Sequence, residues 1–234
     1  SNLYWIEPQV KLAEALVQRS CADKVFFCNS GTEATEAALK LARKYGSQVG
    51  GPEKCQIITM KNSFHGRTFG AITATGQTKY QKGLGPMLPE IVYAEYNDIE
   101  SVRALASKEK TCGILVEPVQ GEGGVIPADP AFMQELRKLC SELDILMMVD
   151  EVQTGIGRTG TLFGYEHFGI EPDVIALAKG LGGGMPIGAM MAKDFCASAF
   201  GPGDHAATFG GNFLSTTAGL TVLSEIDRMH LLEN

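Results

Sequence analysis

The sequence has no long apolar run and no cluster of basic residues. Its apolar stretches are far shorter than the roughly 20 residues of a membrane-spanning helix. The start also lacks the basic and then apolar pattern of a signal peptide. A net charge of -7 without basic clusters indicates neither a nucleic-acid groove nor a polybasic membrane patch. We therefore expect a soluble, non-secreted protein without nucleic-acid or membrane partners.

Metal-ligand and disulfide patterns are also missing. The six cysteines form no CxxC pair and have no regular spacing, and the four histidines show no ligand spacing. No P-loop and no G-x-S-x-G motif occurs. We therefore expect no metal, free thiols, and a cytoplasmic location or another reducing compartment. Any anion must be held by a local site.

Continuous apolar runs are present, and they predict the fold. Strands are expected at 25–28, 57–60, 71–75, 113–116, 145–149, 174–177 and 187–192. Amphipathic helices are expected at 9–19, 32–45, 98–107 and 130–143. Runs without alternation indicate strands buried on two faces. The sequence thus predicts one α/β domain over residues 1–234, with a mostly parallel, doubly wound sheet covered by helices on both faces.

The segment FFCNSGTEATEAALKLARKYG predicts a strand, a tight turn and a helix. Ser30 is the expected N-cap, with Glu33 three residues later as its capping-box partner. Ser30, Gly31 and Thr32 would then present backbone N–H groups and two hydroxyls at a helix N-terminus, which suits an anion. An ordinary capped helix explains the same residues.

The segment ILMMVDEVQTGIGRTG ends a predicted strand with Asp150. Open α/β sheets bind ligands at the carboxyl ends of their strands. A buried carboxylate there requires a cationic or hydrogen-bonding partner, although it could equally be a structural cap. Gln153 adds a neutral donor and acceptor. The glycines of GIGRTG match a dinucleotide-binding pattern, but the short aromatic segment that follows does not resemble the long helix of a dehydrogenase.

Lys179 ends another predicted strand and precedes a glycine cluster, in VIALAKGLGGGMPIGA. A lysine at a strand end commonly places its amine in water. The alternative is a chemical role, because lysine condenses with carbonyl groups. Together the three segments supply an amine, a carboxylate and an anion site. These are the groups that pyridoxal phosphate requires for its aldehyde, its ring nitrogen and its phosphate.

Six motifs resemble the class III, fold-type I pyridoxal-phosphate aminotransferases, and the acetylornithine members most of all. They are NSGTEATEAALKLARKYG, SFHGRTFGAITATGQTKYQ, EPVQGEGGV, DEVQTGIGRTG, LAKGLGGGMPIGA and TFGGN, in the order of the family. The resemblance covers essentially the whole chain. It implies that the chain is the cofactor-binding large domain, and that an N-terminal segment and a C-terminal small domain of the family are missing.

The resemblance also implies roles for individual residues. Lys179 would be the Schiff-base lysine and Asp150 the partner of the ring nitrogen, and these two would be catalytic. The other implied cofactor ligands are Ser30, Gly31 and Thr32 at the phosphate, Phe64 and Val152 on the two ring faces, Gln153 at the ring hydroxyl, and Thr208 from a neighbouring subunit. Arg67 would bind a substrate carboxylate, and Glu122 would lie near the substrate.

Three positions depart from the acetylornithine pattern. Thr35 replaces the usual asparagine, Ala207 replaces a serine associated with substrate contact, and Phe213 replaces a common proline. The change at Ala207 makes the substrate assignment weaker than the cofactor assignment.

The implied reaction moves an amino group from an ω-amine donor such as N-acetylornithine to 2-oxoglutarate, as in arginine biosynthesis. A homodimer with shared active sites is implied as well. The alternatives within the class are 4-aminobutyrate, ornithine, succinylornithine and succinyldiaminopimelate aminotransferases. Outside it, a truncated chain without turnover and a dehydrogenase stay open.

Overall fold

The computed structural model describes residues 4–233, and a mixed sheet is its central element. Its strands are β1 (Lys24–Cys28), β2 (Gln56–Met60), β3 (Ile91–Ala94), β4 (Thr111–Val116), β7 (Leu146–Asp150), β8 (Val174–Leu177) and β9 (Gly188–Ala192). A separate two-stranded ribbon consists of β5 (Val119–Gln120) and β6 (Ile126–Pro127).

The strand order is β1-β9-β8-β7-β4-β2-β3. β8, β7, β4, β2 and β3 pair in parallel. β9 is antiparallel to β8 and to β1, so β1 runs in the same direction as the parallel strands. The carboxyl ends of β1, β2, β4, β7 and β8 therefore lie at one edge of the sheet.

Helices cover both faces of this sheet. The α-helices are α1 (Glu7–Val17), α2 (Gly31–Gly50), α3 (Phe69–Ala74), α4 (Thr78–Gln81), α5 (Ile99–Arg103), α6 (Pro130–Leu143), α7 (Asp194–Ala197) and α8 (Phe213–Arg228). Short 3-10 helices span Gly164–Phe168, Lys179–Gly182 and Leu231–Glu233. Among residues 4–233, no helix is long and apolar enough to cross a bilayer.

Two clusters of buried side chains form the core, one on each face. Leu41 of α2 packs with Leu115, Leu146 and Met148 on one face. α1, α6 and α8 pack against Ile114, Met147 and Val149 and their neighbours on the other face. Successive residues of β7 thus enter opposite clusters, which is why its sequence shows no polar alternation. The predicted α/β class and the covering of both faces are confirmed.

The prediction of a strand at 71–75 is wrong, because these residues belong to α3 and its C-cap. β-branched residues favour strands by propensity. Here the hydroxyls of Thr73 and Thr75 instead donate to the carbonyls of Phe69 (2.6 Å) and Ala71 (2.9 Å), one helical turn earlier. The sequence analysis also missed β3. All six cysteines are free thiols, as expected.

Candidate active site

Five strands deliver polar or aromatic residues to the same edge of the sheet. Asp150 ends β7, Glu117 follows β4, and Lys179 follows β8. Phe64 and His65 come after β2, and α2 begins three residues after β1. Because these strands run in one direction, their carboxyl ends place all these groups around one space.

A cavity of about 410 Å³ occupies that space. The predicted site residues that line it are Ser30, Gly31, Thr32, Phe64, Glu122, Asp150, Val152, Gln153 and Lys179. The same wall also contains His65, Glu117, Met185 and Pro186. The cavity therefore brings together the carboxylate, the amine and the helix N-terminus that the sequence analysis identified separately.

The N-terminus of α2 has the cap that the sequence predicts. The Ser30 hydroxyl accepts from the backbone N–H of Glu33 at 3.4 Å and donates to the Glu33 carboxylate at 2.9 Å. That carboxylate also accepts the Asn29 N–H at 2.8 Å. The N–H groups of Gly31 and Thr32 belong to the first turn of the helix and have no acceptor within it. They are thus available to an anion in the cavity.

Gly31 allows Val152 to pack against the first turn of α2. A Cβ at this position would come 2.7 Å from a Val152 methyl group, well inside van der Waals contact. Any side chain here would push Val152 out of place. Val152 is half-buried and lines the cavity, so the two residues share one wall.

Asp150 has the partner that its burial requires. His65 Nδ1 lies 2.7 Å from Asp150 Oδ2, and the Val152 N–H donates to Oδ1 at 3.0 Å. Both side chains are buried. Burial alone would lower the pKa of His65, but its hydrogen bond to Asp150, with the charges of Asp150 and Glu117, raises that pKa above its ordinary value. The raised pKa favours the protonated form of His65 beside the Asp150 carboxylate.

Glu117 is a second buried carboxyl group in the wall. It accepts the backbone N–H of Phe64 at 3.2 Å. Burial raises its pKa to about 7, and the nearby charge of Asp150 acts in the same direction, while His65 and Lys179 oppose it. Glu117 thus changes charge near neutral pH, and it fixes the backbone of the aromatic residue that lines the cavity.

Lys179 lines the cavity and has a strained backbone. Its φ of 39° lies in the left-handed region, which is uncommon for a residue with a side chain. Within residues 4–233, its amine makes no hydrogen bond and no ion pair. Lys179 is exposed, begins a 3-10 helix and lines the same cavity as Asp150. Strain of this kind is concentrated at functional sites.

Three predicted site residues do not line the cavity. Arg67 is exposed, and its guanidinium lies 4.5 Å from the centre of the Tyr80 ring and 5.6 Å from that of Phe64. Ala207 packs beside Cys28, Ala34 and Ala176 instead. Thr208 is exposed on the loop before α8.

The other two positions that depart from the acetylornithine pattern, Thr35 and Phe213, differ in burial. Thr35 is fully buried, and its hydroxyl has no hydrogen-bond partner among the described residues. Phe213 begins α8 and is exposed.

The sequence analysis missed two titratable residues of the site, His65 and Glu117. Glu117 is the first polar residue after the strand run at 113–116, as Asp150 is after 145–149. The strand-end rule applied to a third strand would have found it. His65 carries no comparable signal, because a histidine in a loop indicates nothing until its neighbour across the fold is known.

Comparisons with known proteins by family, sequence and structure give one consistent result. The family model for class III aminotransferases matches residues 1–234. Acetylornithine aminotransferase of Caldanaerobacter subterraneus subsp. tengcongensis is 56% identical over 100% of this chain and 59% of its own length. Succinylornithine transaminase of Photorhabdus laumondii is 53% identical over 99% of this chain and 57% of its own length.

A solved structure of Toxoplasma gondii ornithine aminotransferase, with partial occupancy of PLP at its active site, superimposes with a TM-score of 0.94 at 31% identity. The match covers 99% of this chain and 56% of that one. The chain thus spans less than two thirds of the length of each of these relatives.

Proposed function

The chain belongs to the class III aminotransferases, and on that premise we propose that it is the cofactor-binding domain of a pyridoxal-phosphate-dependent enzyme. The single observation that carries the proposal is the placement of Asp150 and Lys179. Asp150 ends β7 and Lys179 follows the neighbouring parallel strand β8, and both line one cavity that the N-terminus of α2 also lines.

The residues present fit this cofactor. Gly31 and Thr32 offer backbone N–H groups to its phosphate, together with the positive end of the α2 dipole. Ser30 supports them as the cap of that helix. Phe64 and Val152 offer apolar surface to the two faces of its ring, and Gln153 lies in the wall as a hydrogen-bonding group for the ring hydroxyl. The pyridoxal phosphate in the Toxoplasma relative supports this assignment.

Bound here, pyridoxal phosphate would supply an aldehyde that exchanges between amines and a ring that withdraws electrons from the substrate carbon. Lys179 holds or moves a proton at its Nζ, as a general acid and base beside that carbon. The Asp150 carboxylate, held by His65 and Val152, favours a proton on the ring nitrogen. Glu117 would hold Phe64 in position against the ring through its hydrogen bond to the Phe64 backbone.

The proposed reaction moves an amino group from an ω-amine donor, N-acetylornithine first, to 2-oxoglutarate. The 56% identity to an acetylornithine aminotransferase supports this donor, and the succinylornithine relative supports the alternative of a larger acyl group. Arg67 would bind a carboxylate of the substrate, and Glu122 would lie near it in the cavity wall. Ala207 packs outside this cavity, so its packing does not support a contact with the donor within one chain. The six free thiols support a reducing compartment such as the cytoplasm.

A homodimer with shared sites is part of the proposal. Thr208 is exposed and lies outside the cavity of its own chain. This placement is compatible with a contact to the phosphate in a second copy, made twice in a two-fold dimer.

Borohydride reduction of the full-length protein with pyridoxal phosphate tests the cofactor assignment. Covalent labelling is expected on the peptide that contains Lys179 and is expected to vanish in Lys179→Ala. Lys24→Ala, which removes another exposed lysine, should leave it unchanged. Labelling of a different lysine would refute the assignment.

Initial rates with N-acetylornithine, succinylornithine, ornithine and 4-aminobutyrate, each with 2-oxoglutarate, then identify the donor. The absence of turnover with all four would contradict the proposed reaction while leaving the cofactor assignment standing.

A further inference from the structure

The segment that carries Arg67 is fastened to α2 by a threonine of the helix's first turn. The Thr32 hydroxyl accepts the backbone N–H groups of Arg67 and Thr68, each at 3.2 Å. It also lies 2.8 Å from the Thr68 hydroxyl. The residue whose backbone faces the anion site therefore uses its side chain to hold the neighbouring segment.

Glu36, one turn further along α2, holds the same segment. Its Oε1 accepts the Thr68 hydroxyl at 2.5 Å and the N–H groups of Gly70 and Ala71 at 2.9 and 3.1 Å. Those N–H groups belong to the first turn of α3 and have no acceptor in their own helix. Thr68, the N-cap residue of α3, makes no side-chain cap of its own. A carboxylate on another helix caps α3 instead.

Counting hydroxyl protons fixes the direction of these bonds. A carboxylate only accepts, so Thr68 gives its single hydroxyl proton to Glu36. The contact between the two threonines then requires Thr32 to be the donor. The hydrogen bonds run from Thr32 to Thr68 to Glu36, and the Thr32 hydroxyl has no proton left for a phosphate. Thr32 therefore offers the phosphate its backbone N–H and not its hydroxyl group.

Two glycines of the HGRTFG sequence make this approach possible. A Cβ on Gly66 would come 2.4 Å from the Thr32 hydroxyl oxygen. A Cβ on Gly70 would come 2.4 and 2.8 Å from the two Glu36 carboxylate oxygens, and the three nearest atoms all belong to that carboxylate. The side chains of Thr32 and Glu36 thus occupy the space that a Cβ on Gly66 or Gly70 would need.

We propose that Glu36 is a positioning residue which, through Thr68 and Thr32, ties the Arg67 segment to the first turn of α2. It thereby fixes the distance between the phosphate site and the guanidinium that receives a substrate carboxylate. This inference rests on the proposed function for the roles of those two sites. The fastening itself is independent of any ligand.

Amide hydrogen exchange of the cofactor-free, full-length protein tests the fastening. Glu36→Ala removes the acceptor, and exchange in peptides covering residues 69–74 is expected to rise about tenfold. This corresponds to roughly 1.4 kcal/mol, the low end for a lost hydrogen bond to a charged acceptor. Glu36→Gln keeps an oxygen acceptor of the same shape and should stay within about twofold of the parent. Unchanged exchange in Glu36→Ala would overturn the inference.

Gly70→Ala probes the same contact from the other side. Alanine is normally favourable at a helical position. Beside Glu36, however, its Cβ displaces the carboxylate, so exchange should rise as in Glu36→Ala. In the Glu36→Ala background the same change should be neutral or protective. Additive effects of the two substitutions would show that the added methyl group does not displace the Glu36 carboxylate.

Calorimetric binding of 2-oxoglutarate to the cofactor-loaded protein tests the consequence for Arg67. Glu36→Ala should weaken binding about tenfold with cofactor affinity unchanged, and Glu36→Gln should restore it. Raised exchange with unchanged binding would reduce Glu36 to a structural cap and refute the positioning role. Because neither measurement requires turnover, a failure of the proposed reaction is distinguishable from a failure of this inference.

Discussion

His65 Nδ1 and Asp150 Oδ2 lie 2.7 Å apart in a buried pair that joins the loop after β2 to the end of β7. His65 Nε2 is also buried and has no partner among the described residues. The imidazole therefore makes its one hydrogen bond to the carboxylate. Its function in the site is to hold the Asp150 carboxylate in place.

Loss of the His65 hydrogen bond to Asp150 should lower the rate of the reaction more than it weakens cofactor binding. His65→Leu removes a hydrogen bond to a charged group, worth about 1.5–3 kcal/mol, so a fall in rate of about 10- to 100-fold is expected. His65→Asn places an amide donor near the former Nδ1 and should retain most of the rate. Single-turnover absorbance with an amino donor measures both variants, and equal rates in the two would contradict this function.

Tyr80 should hold the Arg67 guanidinium by its ring face. The guanidinium carbon is 4.5 Å from the ring centre, and such a contact is worth about 0.5–1 kcal/mol at an exposed site. Tyr80→Leu is expected to raise the KM for 2-oxoglutarate about two- to fivefold with kcat unchanged. Tyr80→Phe keeps the ring and should match the parent. A larger rise is expected for Arg67→Lys, which loses the bidentate contact. An unchanged KM in Tyr80→Leu would refute the contact.

Glu117 should make stability depend on pH near neutrality. Its pKa is raised from 4.5 to about 7 in the folded protein, so the folded state keeps a proton that the unfolded chain has already lost. Stability must then fall as pH rises between these two values. Relative to Glu117→Gln, the cofactor-free parent should lose roughly 2 to 3 kcal/mol from about pH 5 to about pH 8. Denaturant unfolding measures this difference.

The matched control for that experiment is Glu53→Gln, which alters an exposed carboxylate. Its stability difference from the parent is subtracted at each pH, because both substitutions remove one carboxylate. After this subtraction, a pH-independent difference for Glu117→Gln would show that Glu117 is charged throughout.

Thr208 and Lys179 should complement each other across a dimer. If they serve one site from two chains, mixing dissociated Lys179→Ala and Thr208→Ala proteins gives mixed dimers with one intact site each. Random reassociation makes about half of the dimers mixed, so roughly a quarter of all sites should regain tight cofactor binding. Fluorescence titration with pyridoxal phosphate measures that fraction. No recovery would place both residues in the site of one chain.

Local patterns in the sequence predicted the elements that carry the chemistry. The runs before Asp150 and Lys179 are apolar on both faces, and buried parallel strands require this wherever they occur. The Ser30 cap depends on residues only three apart. Such features are determined within a few residues of chain, so they can be read before the fold is known.

Contacts between distant segments could be decided only by the tertiary structure. Residues 71–75 have strand propensity, yet Glu36, 35 residues earlier, caps them as a helix. His65 lies 85 residues from Asp150, and nothing near either residue predicts their contact. The raised pKa of Glu117 depends on burial and on charges that other strands supply. The sequence alone thus determined which groups are present and at which strand ends, because those are local properties. Their partners, protonation and orientation depend on packing, which joins segments that the chain keeps far apart.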